Sequence, residues 1–416
     1  MHKTSVKQRL PLYILLCYIL SFYTGFNMSA AQFVLLDMKT EFAISSTLMA
    51  AISSAQMITS LGMSLLFSGL LDRLDNKKVM LAGCFCSILG SIIAGFSNGP
   101  IMTLISYMVS GIGGNMLLAT PFPAMTKLDP ARITLHVNRQ QGALSCGAFI
   151  SPLLMALLIN EIGLGWRWSY HISTGMLIAI TIFFCFAPSP GKSGEVAGVA
   201  EETPEERKAR RRIILTPAFI CMGLGLALYM FMEIGLLSYA KDYFMVGLND
   251  ILGASLCISV VRGGMTLSRL FGERLIKNRV WMSIGTMGLS GLCLLLMAIF
   301  RLPVVSLIWC ALFGLIAGPC WPTILSMGLS LDTKSSGKLT SILMLFNNVG
   351  NNLGNLLIGA CVDMMGVGNA YYVAAGISLI GVVVLLIGVR SFRRLGQIPE
   401  GPEWSSAQQK ELPLAN

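Results

Sequence analysis

The sequence predicts an all-α membrane protein with twelve transmembrane helices arranged as two six-helix bundles. Three observations carry that expectation. Of 416 residues, 54% are hydrophobic and only 12% are charged, where about 25% charged is usual for a soluble domain, and mean hydropathy is +0.71. Uncharged apolar runs recur along nearly the whole chain. The basic residues fall almost entirely on alternate loops between those runs.

A helix of about 20 residues crosses a bilayer core of roughly 30 Å. Leu10–Leu36 and Phe42–Leu71 supply spans one and two. Val79–Thr126 is long enough for spans three and four, with Asn98, Gly99 and Pro100 as the turn between them. Gln140–Asn160 and Trp168–Ala187 are spans five and six, and Ile213–Met232 opens span seven. Ile251–Ser268 is span eight, interrupted by Arg262. Val280–Phe300, Leu302–Leu331, Leu339–Val362 and Ala370–Val389 complete the set. All are expected to be helical, because backbone polar groups in lipid must be satisfied within each segment. Met1–Arg9 is basic, but the apolar run after it is too long for the core of a signal peptide, so it is read as the start of span one.

Of the 30 basic residues, 25 lie on one set of alternate loops. Four lie on the other, Lys39, Arg167, Lys241 and Arg301, and Arg262 lies within a span. The positive-inside rule then places both termini in the cytoplasm of a multi-pass protein, expected in the plasma (inner) membrane. The net charge of +10 is this excess and requires no nucleic-acid partner. The eleven cysteines lie in or beside apolar spans and read as small buried hydrophobes.

Residues 188–214 break the pattern with Pro188, Pro190, Gly191, two Glu pairs and the basic run Arg210–Arg212. This stretch reads as a cytoplasmic connector. It divides the chain into an N-terminal bundle at 1–187 and a C-terminal bundle at 215–390, with a tail at 391–416. The halves echo one another: Tyr170 and Gly175 recur as Tyr371 and Gly376, and Pro121 and Pro123 recur as Pro319 and Pro322. Parallel six-helix repeats around a central site are one plan of secondary transporters.

The loop after span two, Asp72-Arg73-Leu74-Asp75-Asn76-Lys77-Lys78, resembles the signature of the major facilitator superfamily. Asp75 and Asn76 stand where that signature has a glycine and its first basic residue, and Gly69 comes one residue late. The loop after span eight, with Arg269, Gly272, Arg274 and Arg279, looks like its second-half counterpart. The resemblance implies the major facilitator fold, its bundles related by a pseudo-two-fold axis. It also implies gating by Asp72, Arg73, Lys77 and Arg269, with Asp72 accepting from a helix N-terminus to latch the cytoplasmic side. The alternative is that Arg73, Lys77 and Lys78 only satisfy the positive-inside rule. Gly111-Ile112-Gly113-Gly114, Pro121-Phe122-Pro123, Cys146–Pro152 and Gly314–Thr323 resemble the fucose–proton symporter branch. The acidic positions of that branch fall on Gln32 and Met116, and Tyr107 stands where many members have arginine.

Glu233 and Arg262 are the intramembrane charges. By a rise of 1.5 Å per residue they sit about 12 Å and about 18 Å below the external ends of spans seven and eight. An intramembrane carboxylate is a functional candidate, and proton coupling through Glu233 tuned by Arg262 is one reading. A structural ion pair, or an Arg262 that meets an anionic substrate, are the others. Span eleven carries Asn347, Asn348, Asn351, Asn352 and Asn355, the last four on one helical face. Amides both donate and accept, which suits a hydroxyl-rich or zwitterionic solute. The competing reading is helix–helix glue, with Gly350 and Gly354 as a close-packing face.

Further candidates for substrate contact are Asn27, Gln32, Gln56, Asn115, Gln140, Gln141 and Tyr229, with Trp321 and Trp309 as stacking surfaces. Each alone also fits an interhelical hydrogen bond or packing. Trp166-Arg167-Trp168 reads as an interfacial anchor beside His171. No GxxxxGK[ST] phosphate loop, metal-ligand cluster or nucleophilic triad is visible, so neither cofactor nor metal is expected, and no enzyme activity. The expectation is a monomeric secondary transporter in the bilayer that takes up a small polar solute, sugar-like or an organic acid, with H+. Proton-exchange efflux of drugs or metabolites, and a transport-inactive membrane receptor, stand as alternatives.

Overall fold

The computed structural model describes residues 2–67, 75–119, 121, 133–187, 212–271, 279–329, 331 and 336–394. Asp72, Arg73, most of the connector and most of the tail lie outside the described residues. Fourteen α-helices account for the described chain. They are α1 (His2–Phe33), α2 (Leu35–Glu41), α3 (Ser46–Phe67), α4 (Asn76–Gly95), α5 (Pro100–Ala119), α6 (Ile133–Ala156) and α7 (Trp168–Phe186), then α8 (Pro217–Asp242), α9 (Ile251–Phe271), α10 (Arg279–Ile299), α11 (Pro303–Ala317), α12 (Cys320–Leu329), α13 (Ser336–Met365) and α14 (Val367–Arg394). A π-helical turn extends α6 over Leu157–Glu161, and another extends α8 over Tyr243–Gly247.

Ten of the described helical segments are long and apolar enough to cross a membrane. The two expected spans outside that group are α3 and α13, at 22 and 30 residues. Both are long enough; α13 carries the five asparagines, and α3 carries Ser53, Ser54, Gln56, Thr59 and Ser60. Large apolar side chains such as Phe85, Ile101, Phe183, Phe186, Val304 and Leu379 are well exposed, the surface expected where the surrounding medium is lipid.

Span ten is not one helix. It breaks at Gly318-Pro319 into α11 and α12, because neither Pro319 nor Pro322 can donate to the helix ladder. The turn foreseen at Asn98–Pro100 does separate α4 from α5. Between α13 and α14 the chain turns on Gly366 alone, whose φ of +82° is open to glycine and costly for other residues. The last helix runs through Arg394, past the expected end of the bundle at residue 390.

The chain forms two compact units. The first comprises Met1–Glu201, Leu237–Gly263 and Asn355–Val367. Its core joins α1, α4, α5 and α7 through Tyr13, Leu16, Leu20, Tyr23, Met80, Cys84, Leu117, Leu177 and Phe184. Helices α1 and α6 approach until backbone meets backbone: a Cβ on Gly25 would lie 1.9 Å from the Leu144 carbonyl oxygen, and one on Gly147 would lie 2.0 Å from that of Phe22. Asp75, in place of the signature glycine, caps α4 by accepting from the Lys77 amide at 2.8 Å. The Lys77 ammonium donates to the carbonyls of Cys185 and Ala187 at the end of α7, at 2.8 and 2.6 Å, a favourable site for a cation.

The second unit comprises Glu202–Leu236, Gly264–Gly354 and Gly368–Asn416. Helix α10 packs on α11 and α12. Gly350 and Gly354 press on the backbone of Ala227 and Phe231 in α8, so this glycine face is a close helix–helix contact.

Candidate functional site

Polar chemistry concentrates at two places, one in each unit. In the second unit it surrounds the break between α11 and α12. Pro322 has no N–H, so the Gly318 carbonyl lacks its usual helical donor. Arg269 Nε fills that role at 3.3 Å. The preceding Ala317 carbonyl accepts from the Tyr229 hydroxyl at 3.0 Å. Glu233, one turn beyond Tyr229 on α8, is buried and lies within hydrogen-bonding range of that phenol. The Trp321 indole donates to Asn347 Oδ1 at 2.7 Å, which fixes the ring. Asn348, Asn351 and Asn352 are half-buried. Asn352 Nδ2 bonds back to the Asn348 carbonyl at 2.8 Å, while the side-chain oxygens of Asn351 and Asn352 accept no hydrogen bond. A buried carboxylate, a fixed indole and unused amide acceptors can hold a proton and a hydroxyl-bearing solute.

In the first unit, Arg262 is buried and donates from one terminal nitrogen to Gln32 Oε1 at 3.1 Å. Asn355, the last of the asparagine row, is in this unit and is almost fully enclosed. Its amide donates to the Ala50 carbonyl at 3.2 Å, to Ser53 Oγ at 2.6 Å and to Ser54 Oγ at 3.3 Å. Those bonds join α13 and α3. Asn27 and Gln56 are half-buried, and Asn115 Nδ2 reaches Ser60 Oγ at 3.4 Å. Tyr107 shares a 2.9 Å hydrogen bond with Tyr170. The Gln141 side chain, like Asp72 and Arg73, is outside the described residues.

One end of the first unit holds a charged cluster that includes three of the four isolated basic residues, Lys39, Arg167 and Lys241. Lys39 pairs with Asp242, and Lys241 pairs with Asp37 at 2.5 Å while its ammonium lies 4.2 Å above the Phe33 ring. Asp363 caps α3 across the chain, accepting from the Ser46 and Thr47 amides at 2.8 and 2.7 Å and from the Thr47 hydroxyl at 2.5 Å. Burial pushes the Asp363 carboxyl up, but these hydrogen bonds outweigh it and hold the group below its ordinary range. Arg167 grips Glu41 with two nitrogens, at 2.6 and 3.0 Å, and also donates to the Ser97 carbonyl. The Trp166 indole donates to the same carboxylate at 2.6 Å.

Sequence reasoning weighed none of Asp37, Glu41, Asp242 and Asp363. The available signal was their spacing: Asp37 and Glu41 flank Lys39, and Asp242 follows Lys241. Arg167 holds the Glu41 carboxyl below its usual value, against a smaller upward push from burial. A depressed folded-state pKa stabilises the fold above the ordinary glutamate value of about 4.3, and that contribution is lost as pH falls through the depressed value. Glu41→Gln is therefore expected to flatten the acid limb of thermal melts between about pH 5 and about pH 3. The effect should be small, because the pair is largely solvated. A wild-type acid limb in the variant would remove Glu41 from this role.

The sequence also matches a known family. Residues 15–334 match the profile of the Major Facilitator Superfamily. The inner membrane transport protein YdiM of Escherichia coli K12 is 25% identical over 232 residues, a match covering 54% of this chain and 56% of that protein. The chain thus spans little more than half the length of that relative. Among solved structures, the nucleoside transporter NupG superposes with a TM-score of 0.74 at 15% identity, over 90% of this chain and 99% of that one. The E. coli fucose:proton symporter FucP superposes with a TM-score of 0.63 at 16% identity, over 91% and 99%. At such identities the likeness speaks for the fold alone.

Proposed function

Because the chain belongs to the Major Facilitator Superfamily, we propose that it is a secondary transporter that moves a small polar solute by alternating access, with proton-coupled uptake. The observation that carries this reading is Glu233, a buried carboxylate on a membrane-spanning helix, set beside Tyr229 at the α11–α12 break. A carboxylate kept in such a place without a soluble surface is costly, and alternating access gives it water on each side in turn. Glu233 is the coupling group in this reading, with Arg262 as the second intramembrane charge.

The substrate is sugar-like or an organic acid, met by Asn348, Asn351 and Asn352 and by the Trp321 ring that Asn347 orients. The halves at 1–187 and 215–390 are the moving bodies, and the connector at 188–214 is cytoplasmic with both termini. A latch at Asp72 and Arg73 closes the cytoplasmic side. Lys77 and Arg269 support it from fixed positions, since each bonds backbone carbonyls within its own unit.

A thermal-shift screen of purified protein against sugars, nucleosides, organic acids and amino acids at two pH values tests the substrate class. A solute at 100 times its dissociation constant stabilises the bound state by about 2.7 kcal/mol. That shift is expected for one polar class, and it should change with pH in the wild type but not in Glu233→Gln. A pH-dependent shift that survives in Glu233→Gln would exclude Glu233 as the proton carrier.

A further inference from the structure

We propose that the Asp242 carboxylate is a proton-binding site that keeps its end of the first unit closed while ionised and releases it when protonated. The inference builds on the transport reading, but its test reads the opening of this end and needs no flux. The groups around Asp242 are Lys39 and Asp37 from α2, Lys241 and Tyr239 from α8, and the neutral amide of Asn355 from α13. Asp363, also on α13, bonds the Ser46 amide at the α3 N-terminus, and the Ser46 carbonyl accepts from Tyr239 at 3.5 Å. Lys39, Lys241, Asp37 and Asp242 form two crossed pairs whose charges cancel.

The cancellation depends on Asp242. Its side chain is 6% exposed and that of Lys241 is 2% exposed, against 28% for Asp37 and 20% for Lys39. Protonating Asp242 leaves two ammonium groups facing one carboxylate. Leaving the half-buried Lys39 without its partner, beside the enclosed Lys241, is costly, and the cost is relieved when the end parts and water reaches both ammonium groups. The ion pairs themselves contribute little net stability once their desolvation is counted. One proton can therefore decide which state prevails.

A source for that proton is built into the same place. A small cavity lies against the pair, walled largely by apolar surface from Leu35, Met49 and Ala50, with Lys39, Tyr239, Asp242 and Asn355 also on its lining. Asn355 is 3% exposed, and its Oδ1 has no hydrogen-bond partner although its Nδ2 makes three contacts. An enclosed acceptor with an unused lone pair beside a small cavity suits a single water molecule. Water there would stand beside the buried carboxylate as the nearest proton donor.

The other carboxylates of this end are different in kind. Glu41 and Asp363 are held low by Arg167 and by the α3 amides, so they stay ionised under mildly acidic conditions. His171 packs edge-on against Phe96 and Trp168, away from the crossed pairs.

Opening this end strips the Asp363 cap from Ser46 and Thr47, so amide hydrogen exchange in the first turn of α3 reports it. The full chain in detergent is measured at about pH 7.5 and about pH 5, with rates corrected for intrinsic chemistry. Wild-type protein should exchange there about tenfold faster at the lower pH. Asp242→Asn should be fast at both values. Lys39→Met combined with Asp242→Asn removes both charges and should be slow at both. His171→Gln should behave as wild type. A wild-type rate that ignores pH, or a pH response that survives in Asp242→Asn, overturns the assignment, as does a double variant that stays fast. Failure of every solute to cross proteoliposomes would instead count against transport and leave this result standing.

Discussion

Gly147→Leu is expected to prevent folding of the first unit. The substituted Cβ would sit 2.0 Å from the Phe22 carbonyl oxygen and 2.9 Å from the Phe26 amide nitrogen, and both are backbone atoms that cannot rotate away. Overpacking a core typically costs 1–3 kcal/mol when side chains can adjust. Here α1 and α6 must separate along their contact, so the loss should exceed about 3 kcal/mol. Gly25→Leu should fail for the same reason, since its Cβ would meet Leu144 backbone. Gly114→Ala is the control: no atom lies within 4 Å of its added Cβ, and removing a helical glycine gains roughly 1 kcal/mol. Size-exclusion profiles and thermal melts in detergent separate these variants. A monodisperse Gly147→Leu with a wild-type melting temperature would show that the α1–α6 contact is looser than described.

Arg262→Leu is expected to abolish transport in a protein that still folds. Arg262 is enclosed on α9 and donates to Gln32 Oε1 at 3.1 Å. Its removal leaves that amide oxygen without its donor, a cost of about 1–3 kcal/mol that a large helical membrane protein absorbs. If Arg262 acts with Glu233 as proposed above, the functional cost is larger, because the charge itself is lost from the membrane interior. Initial uptake rates should fall at least about 100-fold, equivalent to roughly 2.7 kcal/mol of transition-state stabilisation. Arg262→Lys retains the charge but not the planar fork, and should recover only part of the rate. Near-wild-type uptake in Arg262→Leu would reduce Arg262 to a structural residue.

Most of the architecture was legible in the sequence because lipid imposes a simple code. Apolar runs of sufficient length become helices, and the segments at Leu10–Leu36, Val79–Thr126 and Ala370–Val389 could form little else. The α11–α12 break was also written in the chain, as two prolines three residues apart, yet apolar character alone ran span ten through it. Prolines mark where carbonyls lose their donors. They do not say that Tyr229 and Arg269 would supply replacements from other helices.

The candidate site was legible in part. Intramembrane charge singled out Glu233 and Arg262, and helical periodicity grouped the asparagines. The row nevertheless divides: Asn347 holds Trp321, Asn352 donates to the Asn348 carbonyl one turn back on its own helix, and Asn355 ties α13 to α3. One helical face says which residues share a direction but not what lies opposite each. The crossed pairs were missed because Asp37, Asp242 and Asp363 sit near span ends, where charge is ordinary. Their partners come from segments more than 200 residues away in sequence, which local reading does not reach.

Reconstituted uptake under an imposed inward proton gradient tests the transport reading most directly, with a panel of labelled sugars, nucleosides and organic acids. Wild-type protein is expected to accumulate one polar class above its external concentration, saturably, and to lose that accumulation with a protonophore. Glu233→Gln should only equilibrate the same solute. Contradiction would come from an absence of saturable flux for every class, or from gradient-driven accumulation in Glu233→Gln equal to that of the wild type.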